Sequence, residues 1–174
     1  MTEVIHYTLK QSSLGSVLIA QSDKRICAIF IDDNPAFLVE RLSYYFKEAT
    51  FQEKPQALEE VANTLINFIE DPHLPLTVTF DVRGTPFQRK VWTLLQQIPL
   101  GQTATYTDLA YQLGLPHHRR AVGRACGDNP LAVVIPCHRV IRKDGNLAGY
   151  RWGLNRKQKL LEAERKLLTL ILEM

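Results

Sequence analysis

The chain has 174 residues and no run of roughly 18 apolar ones, so no membrane-spanning helix is expected. Its opening, MTEVIHYTLK, lacks a basic start followed by an apolar core, so a secretory signal is not expected either. Cysteine is scarce: Cys27, Cys126 and Cys137 form an odd set of three. With no secretory signal expected, that argues against a disulfide framework and points to free thiols in a reducing, cytoplasmic setting. His117, His118, Cys126, Cys137 and His138 show no CxxC or HxxxH spacing, so no metal site is expected. There is no internal repeat and no low-complexity segment. Hydrophobic residues make up 45% and charged residues 22%, the balance of an ordinary globular chain.

What is present is a split in charge. The formal net charge of +3 hides two opposed halves. Residues 1–83 carry 7 Lys and Arg against 12 Asp and Glu, whereas residues 117–166 carry 12 against 4. Two modules are expected, 1–83 and 84–174, the second with an anionic partner or a solvated basic face.

The first module opens with three β-branched runs, VIHYTLK, SVLIAQ and ICAIFI, separated by turn residues. They predict antiparallel strands joined as hairpins. Pro35 opens a predicted helix reaching Glu48, with Phe37, Leu38, Arg41, Leu42 and Tyr45 at helical spacing. A second helix carries Leu58, Val61, Ala62, Leu65, Phe68 and Ile69 and stops at Asp71-Pro72. LTVTF, residues 76–80, reads as a further strand.

The second module is mostly helical. Thr85 is a good N-cap and Pro86 a good first helical residue. Phe87, Val91, Leu94, Leu95 and Ile98 give the apolar stripe, and Pro99-Leu100-Gly101-Gln102 ends it. A short helix starting at Thr105 or Thr107 closes at Gly114, and a basic helix follows over 119–126. That rhythm is the one of a helix-turn-helix, shared with any small helical domain. A last helix over about 156–168 turns Leu160, Leu161 and Leu167 inward.

The chemistry concentrates in Ile135-Pro136-Cys137-His138-Arg139-Val140. A thiolate is the reactive form of cysteine, and a free thiol is only a few per cent ionised at neutral pH. His138 is a base one residue away; adjacent residues of a strand face opposite ways, so pairing needs a turn or a water. Arg139 adds positive potential. A third group would orient the histidine. The acids of this half are Asp108, Asp128, Asp144, Glu162 and Glu164. Glu164 shares a helix face with Leu160 and Leu161, which aims it at the core; the alternative is a surface glutamate. Cys137 could equally be inert packing, as Cys27 and Cys126 are expected to be.

These residues resemble the active-site signature of the methylated-DNA–protein-cysteine methyltransferases, which repair O6-alkylguanine in DNA. The likeness extends in order over nearly all of residues 84–165. Gly84-Thr85-Pro86-Phe87-Gln88 with Val91-Trp92 resembles the start of the family's C-terminal domain. Ile98-Pro99, Gly101 and Thr105-Tyr106 follow, then Arg120-Ala121-Val122-Gly123, Asn129-Pro130, Gly149-Tyr150 and residues 157–164. Tyr150-Arg151-Trp152-Gly153 is similar to the C-terminal half of the bacterial adaptive-response protein. The acidic module resembles, in outline only, the family's ribonuclease-H-like N-terminal domain.

The resemblance implies an α+β protein with a ribonuclease-H-like support domain and a helical, winged-helix-like DNA-binding domain. It implies that Cys137 accepts the alkyl group, that His138 deprotonates it through a water, and that Glu164 orients His138. Tyr106 would assist extrusion of the nucleotide and donate a proton to guanine. Arg120 would fill the gap in the base stack, and Asn129 would hold the turn linking the recognition helix to the cysteine. That helix, with Arg119, Ala121, Gly123 and Arg124, would enter the minor groove, where small residues permit close approach. Tyr150, Arg151, Trp152 and Gly153 would wall the base pocket. The partner would be duplex DNA containing O6-alkylguanine, met by a monomer that uses no cofactor. Trp152 stands where other members carry glycine, which implies good transfer of methyl and poor transfer of benzyl.

Two other classes compete. A cysteine hydrolase using Cys137, His138 and Glu164 would turn over a thioester and would not need the basic half. A lesion-binding helix-turn-helix protein without chemistry would keep full function as Cys137→Ala.

Overall fold

Asp23 and Lys24 both adopt positive φ, 45° and 65°, at the centre of a two-residue turn. That geometry matches the right-handed twist of the strands it joins. It connects β2 (Gly15–Ser22) to β3 (Arg25–Asp32), and a second tight turn connects β1 (Val4–Ser12) to β2. Both pairings are antiparallel, as the three β-branched runs predict. The structure, a computed structural model, describes residues 2–174. It divides into two units, Met1–Val82 and Arg83–Met174. The architecture is α+β, with a mixed sheet and six α-helices among the described residues.

In the first unit the sheet order is β3-β2-β1-β4. β4 (Thr50–Glu53) pairs parallel to β1, which makes the sheet mixed. Pattern reading misses this strand, because only Phe51 among its four residues is even half-buried. Residues 17–20 and 26–31 are all buried, so the centre of this unit lies on β2 and β3. α1 (Pro35–Tyr45) is capped by Asn34, whose side chain accepts from the Ala36 N–H, and it packs on β2 and β3. It stops three residues before Glu48, where the Phe46 N–H turns back to the Leu42 carbonyl. Leu38 and Leu42 are buried, whereas Phe37 is exposed beneath the Arg41 guanidinium. α2 (Glu59–Glu70) buries Ala62, Leu65 and Ile69 and packs on β1.

The strand expected over 76–80 does not form. Its end makes a single parallel bridge, Ile26 to Phe80, with N–H···O bonds from Ile26 to Thr79 and from Asp81 to Ile26. Pro75 has no N–H with which to extend a ladder upstream.

In the second unit α3 (Pro86–Gln96) starts with a full capping box, Thr85 and Gln88 satisfying each other's backbone N–H. It buries Val91, Trp92 and Leu95, so Trp92 joins the expected stripe and Phe87 stays half-buried. The Trp92 indole N–H donates to the Ala125 carbonyl at 2.8 Å. Thr105, rather than Thr107, caps α4 (Tyr106–Gln112), again reciprocally, with Asp108. Gly114, at φ +74, ends that segment, and α5 (Arg119–Gly127) follows and packs on α3 and α4. α6 (Leu154–Leu172) is longer than expected at both ends. It buries Lys157, Leu160, Leu161 and Glu164, while Leu167 is only half-buried. Gly101, at φ +80, receives α6 closely: a Cβ there would lie 2.5 Å from Leu168 Cδ2. No helix among the described residues is long and apolar enough to cross a membrane.

One short pairing positions the chemistry. β5 (Ala104–Thr105) runs parallel to β6 (Val140–Ile141), Ala104 opposite Val140. Tyr106 directly follows β5, and a 3-10 turn, Cys137–Arg139, directly precedes β6. Two segments some thirty residues apart in the sequence are thus tied together, with Tyr106 leaving at one end of the pair and Cys137–Arg139 entering at the other.

Candidate active site

The 3-10 turn resolves the difficulty that neighbours in a strand face apart. Tightening the chain at Cys137–Arg139 lets consecutive side chains serve one interior. Cys137 is 5% exposed and His138 fully buried. The approach to this turn is held by Asn129. Its carbonyl oxygen accepts from the Leu131 N–H at 2.8 Å, and its amide donates to the Ile135 carbonyl at 2.8 Å. The same amide lies 3.4 Å from Cys137 Sγ. Val133, within this loop, takes φ +68, a left-handed conformation that a β-branched residue rarely adopts. Such strain persists where the surroundings over-determine the chain, as Asn129 does here.

Glu164 reaches the histidine from α6: Nε2 of His138 and Oε1 of Glu164 are 2.7 Å apart. Glu164 is 1% exposed, so the inward reading of its helix face holds and the surface one does not. Arg139 grips the same carboxylate, Nε to Oε2 at 3.0 Å and Nη2 to Oε1 at 2.8 Å, and donates to the Ile98 carbonyl at 2.7 Å. Its charge is therefore committed to Glu164, which sequence proximity to Cys137 does not reveal.

Burial alone would raise the Glu164 carboxyl. Hydrogen bonds from His138 and Arg139 outweigh it and hold it down at about 2. Burial lowers His138, and the charges of Arg139 and Lys157 add to that against the pull of Glu164. The pair is thus a carboxylate facing a neutral imidazole at neutral pH. A carboxylate only accepts, so Nε2 carries the proton and donates it to Glu164. Nδ1 is left with its lone pair, buried and without a hydrogen-bond partner among the described residues.

Burial pushes the Cys137 thiol up. The Asn129 amide, Lys157 and Arg151 act in the opposite direction by favouring the anion. Lys157 is a residue that sequence reasoning missed. It is fully buried and donates to the carbonyls of Val140 (2.6 Å), Gly149 (3.2 Å) and Leu147. It thereby ties β6 to the loop before Tyr150. Its spacing from Leu160, Leu161 and Glu164 is three, four and seven residues, one inward helix face, and that was the available signal.

Cys137 opens into a cavity of about 320 Å³. Tyr106, Gly123, Cys126, Tyr150 and Arg151 are among its walls. Tyr106 is raised to about 12 by burial and then by the neighbouring cysteines, so it keeps its proton. Burial also raises Tyr150 well above its usual range; its hydroxyl has no partner among the described residues, and its ring meets His138 edge to face at 6.4 Å. Arg151 donates to the Gly127 carbonyl and pairs with Asp128 at 3.3 Å.

Two of the expected pocket residues are elsewhere. Trp152 is 5% exposed and does not line this cavity, and neither does Gly153. Gly153 is the residue before α6, at φ +99, and the chain bends there so that the indole turns into the core. Trp152 therefore supplies no steric reason for favouring methyl over benzyl. Ala125 faces inward as well, at 2% exposure.

A second cleft, about 390 Å³, shares Tyr106 and Gly123 with the first. Arg119 and Arg120 line one side, Arg142 and Lys143 another, and all four are exposed. Arg124 is exposed on the same helix and Ala121 is half-buried. At Gly123 a Cβ would sit 3.7 Å from the Tyr106 ring, ordinary contact, so the protein itself does not demand glycine there. Cavity and basic cleft together form a concave site whose polar end is a cysteine and whose entrance is cationic. Among the described residues, no group of three or more His, Cys, Asp or Glu could hold a metal ion.

Comparison with known proteins gives a consistent result. The family model described as "6-O-methylguanine DNA methyltransferase, DNA binding domain" matches residues 86–166. The chain is 42% identical over 160 residues to the bifunctional transcriptional activator/DNA repair enzyme Ada of Escherichia coli, covering 92% of this chain and 45% of Ada. It is 37% identical over 163 residues to a methylated-DNA–protein-cysteine methyltransferase of Mycolicibacterium paratuberculosis, covering 94% of each. The chain thus spans about half the length of the Ada proteins it matches. Among solved structures, Mycobacterium tuberculosis OGT in complex with DNA superposes with a TM-score of 0.78 at 34% identity, over 92% of this chain and 93% of that one. The O6-methylguanine methyltransferase of the same organism gives 0.77 at 34% identity, over 96% and 99%.

Proposed function

The chain belongs to the 6-O-methylguanine DNA methyltransferase family, and we propose that it repairs DNA by direct reversal, moving the O6-alkyl group of guanine onto its own Cys137. The observation that carries this reading is the His138–Glu164 pair at 2.7 Å, which leaves His138 Nδ1 as a buried base beside a cysteine that opens to a basic cleft.

The geometry supports the following roles. Glu164 fixes the tautomer and ring orientation of His138, and Arg139 keeps Glu164 ionised. His138 takes the Cys137 proton through a bridging water. The thiolate attacks the alkyl carbon in line, the carbon–O6 bond breaks, and its electron pair stays on guanine. Tyr106, a protonated phenol at the cavity wall, hydrogen-bonds the guanine and stabilises the leaving group. The product is a thioether with no acyl carbon for water to attack, so each molecule acts once.

The alkyl group lies inside a duplex, and reaching it means extruding the base at a cost of a few kcal/mol. α4 and α5 would act as the helix-turn-helix of a winged-helix-like domain, with Arg119, Ala121, Gly123 and Arg124 in the minor groove. Arg120 would fill the stack. Tyr150 and Arg151 would face the extruded base, and Asn129 would couple α5 to Cys137. The first unit would be a ribonuclease-H-like support. The protein would work as a cytoplasmic monomer.

The test is stoichiometry. Excess duplex bearing one O6-methylguanine is mixed with the protein and the nucleosides are separated. Loss of one methyl per protein molecule is expected. Loss of several per molecule contradicts single use, and hydrolysis of a thioester with turnover favours the hydrolase.

A further inference from the structure

Two thiols face the cavity, although the mechanism uses one. Cys126, on the last turn of α5, is 5% exposed and lines the same space of about 320 Å³ as Cys137. Asn129 joins the two directly. Its backbone N–H donates to the Cys126 carbonyl at 3.3 Å, and its side-chain amide lies 3.4 Å from Cys137 Sγ. Cys126 also senses the charge of Cys137. Cys27, the remaining cysteine, belongs to the other unit, within β3.

From this shared cavity we infer that Cys126 and Cys137 form a disulfide when a hydroperoxide oxidises Cys137, a reversible modification that occupies the reactive sulfur. The step balances. The Cys137 thiolate takes one oxygen from the hydroperoxide, whose O–O bond breaks to leave an alcohol, or water from hydrogen peroxide, and a sulfenic acid forms. The Cys126 sulfur then attacks that sulfur. The S–O bond breaks, the departing hydroxide takes the Cys126 proton as water, and the S–S bond forms. Sulfenic acids condense with a nearby thiol in this way. Burial and the charge of Cys137 both discourage ionisation of Cys126. The second influence disappears once Cys137 is an uncharged sulfenic acid, so the partner becomes easier to deprotonate when it is needed. A buried thiol within the cavity also intercepts the sulfenic acid before further peroxide converts it irreversibly. The loss of alkyl acceptance rests on the proposed function; formation of the bond does not.

The sequence makes the test simple. No Lys or Arg lies between Arg124 and Arg139, so cleavage after basic residues releases both cysteines in one peptide, residues 125–139. The full chain is treated with hydrogen peroxide, unfolded in acid, alkylated with iodoacetamide and digested. The expected peptide is two hydrogens lighter than the dithiol and carries no label, while Cys27 is labelled. Dithiothreitol should restore two labelling sites. In Cys126→Ser, Cys137 should instead gain two or three oxygens that dithiothreitol does not remove. A wild-type peptide with labelled Cys126 and oxygenated Cys137 overturns the proposal, and needs no variant to fold. A protein that forms the disulfide but takes no methyl from DNA supports the bond while contradicting the proposed function.

Discussion

His138 Nε2 and Glu164 Oε1 lie 2.7 Å apart, with both side chains withdrawn from solvent and Arg139 closing the far side of the carboxylate. The arrangement fixes one proton on Nε2 and leaves Nδ1 basic. Glu164→Gln replaces an acceptor-only group with one that can turn its amide toward the imidazole. Transfer should slow by roughly two orders of magnitude or more, the usual scale for general-base catalysis. Lesion binding, read by gel shift, should change little. An unchanged transfer rate would remove Glu164 from the mechanism.

The same pair predicts acid sensitivity. The Glu164 carboxyl falls to about 2 on folding, so its stabilisation is present above the unfolded value near 4.5 and is lost as pH drops toward 2. Its size is on the order of 3 kcal/mol. His138 is likewise lowered, by burial first, so its contribution is present above its unfolded value near 6.5 and fades as pH falls below it. Urea midpoints should therefore decline from about pH 6.5 downward. The steep part below about pH 4.5 should be missing in Glu164→Gln. A flat profile from pH 7 to 4 would contradict the buried neutral histidine.

Lys157 should matter more than a surface lysine. Lys157→Met leaves the buried Val140 carbonyl unsatisfied, at a cost of about 1–3 kcal/mol, and removes two part-buried bonds to Leu147 and Gly149. It also removes a positive charge that favours the Cys137 anion. Melting should fall by several degrees, and the pH midpoint of Cys137 alkylation by iodoacetamide should rise. A variant that melts lower with an unmoved midpoint would leave Lys157 a purely structural clamp.

Trp152 lies in the core and not on the cavity wall. Trp152→Ala should therefore destabilise by about 3–5 kcal/mol, the range for truncating a buried tryptophan. It should also leave the ratio of methyl to benzyl transfer rates nearly unchanged. A large gain in benzyl transfer would restore Trp152 to the pocket.

The exposed arginines and lysine around the second cleft predict salt-dependent binding. Each phosphate contact contributes about 0.9 to the slope of log K against log salt. Arg142→Ala and Lys143→Ala should each reduce that slope by about one contact. An unaltered slope would place these residues outside the DNA interface.

Legibility in the sequence followed the strength of local signals. The hairpins, Thr85 with Pro86, and Gly114 are set by neighbours within a few residues, and the structure has them. β4 and the β5–β6 pair are too short for a pattern to register, and they exist because tertiary contacts make them worthwhile. Residues 76–80 show the reverse, a strand-like composition that finds a partner at one residue. At the site, Cys137, His138 and Glu164 were legible from residue type and helix spacing. The Arg139 grip on Glu164, the inward indole of Trp152 and the second cavity thiol, Cys126, depend on where loops close, and local sequence does not carry that.

The central claim is that Cys137 ends up carrying the alkyl group. The direct measurement is peptide mass with fragment sequencing after one equivalent of duplex bearing a single O6-methylguanine. The account predicts one methyl in place of one hydrogen on the peptide of residues 125–139, located at Cys137, with Cys126 unmodified and no second methyl on prolonged reaction. An unmodified Cys137 in a protein that still binds the lesion would contradict it and leave a lesion-binding protein with a silent cysteine.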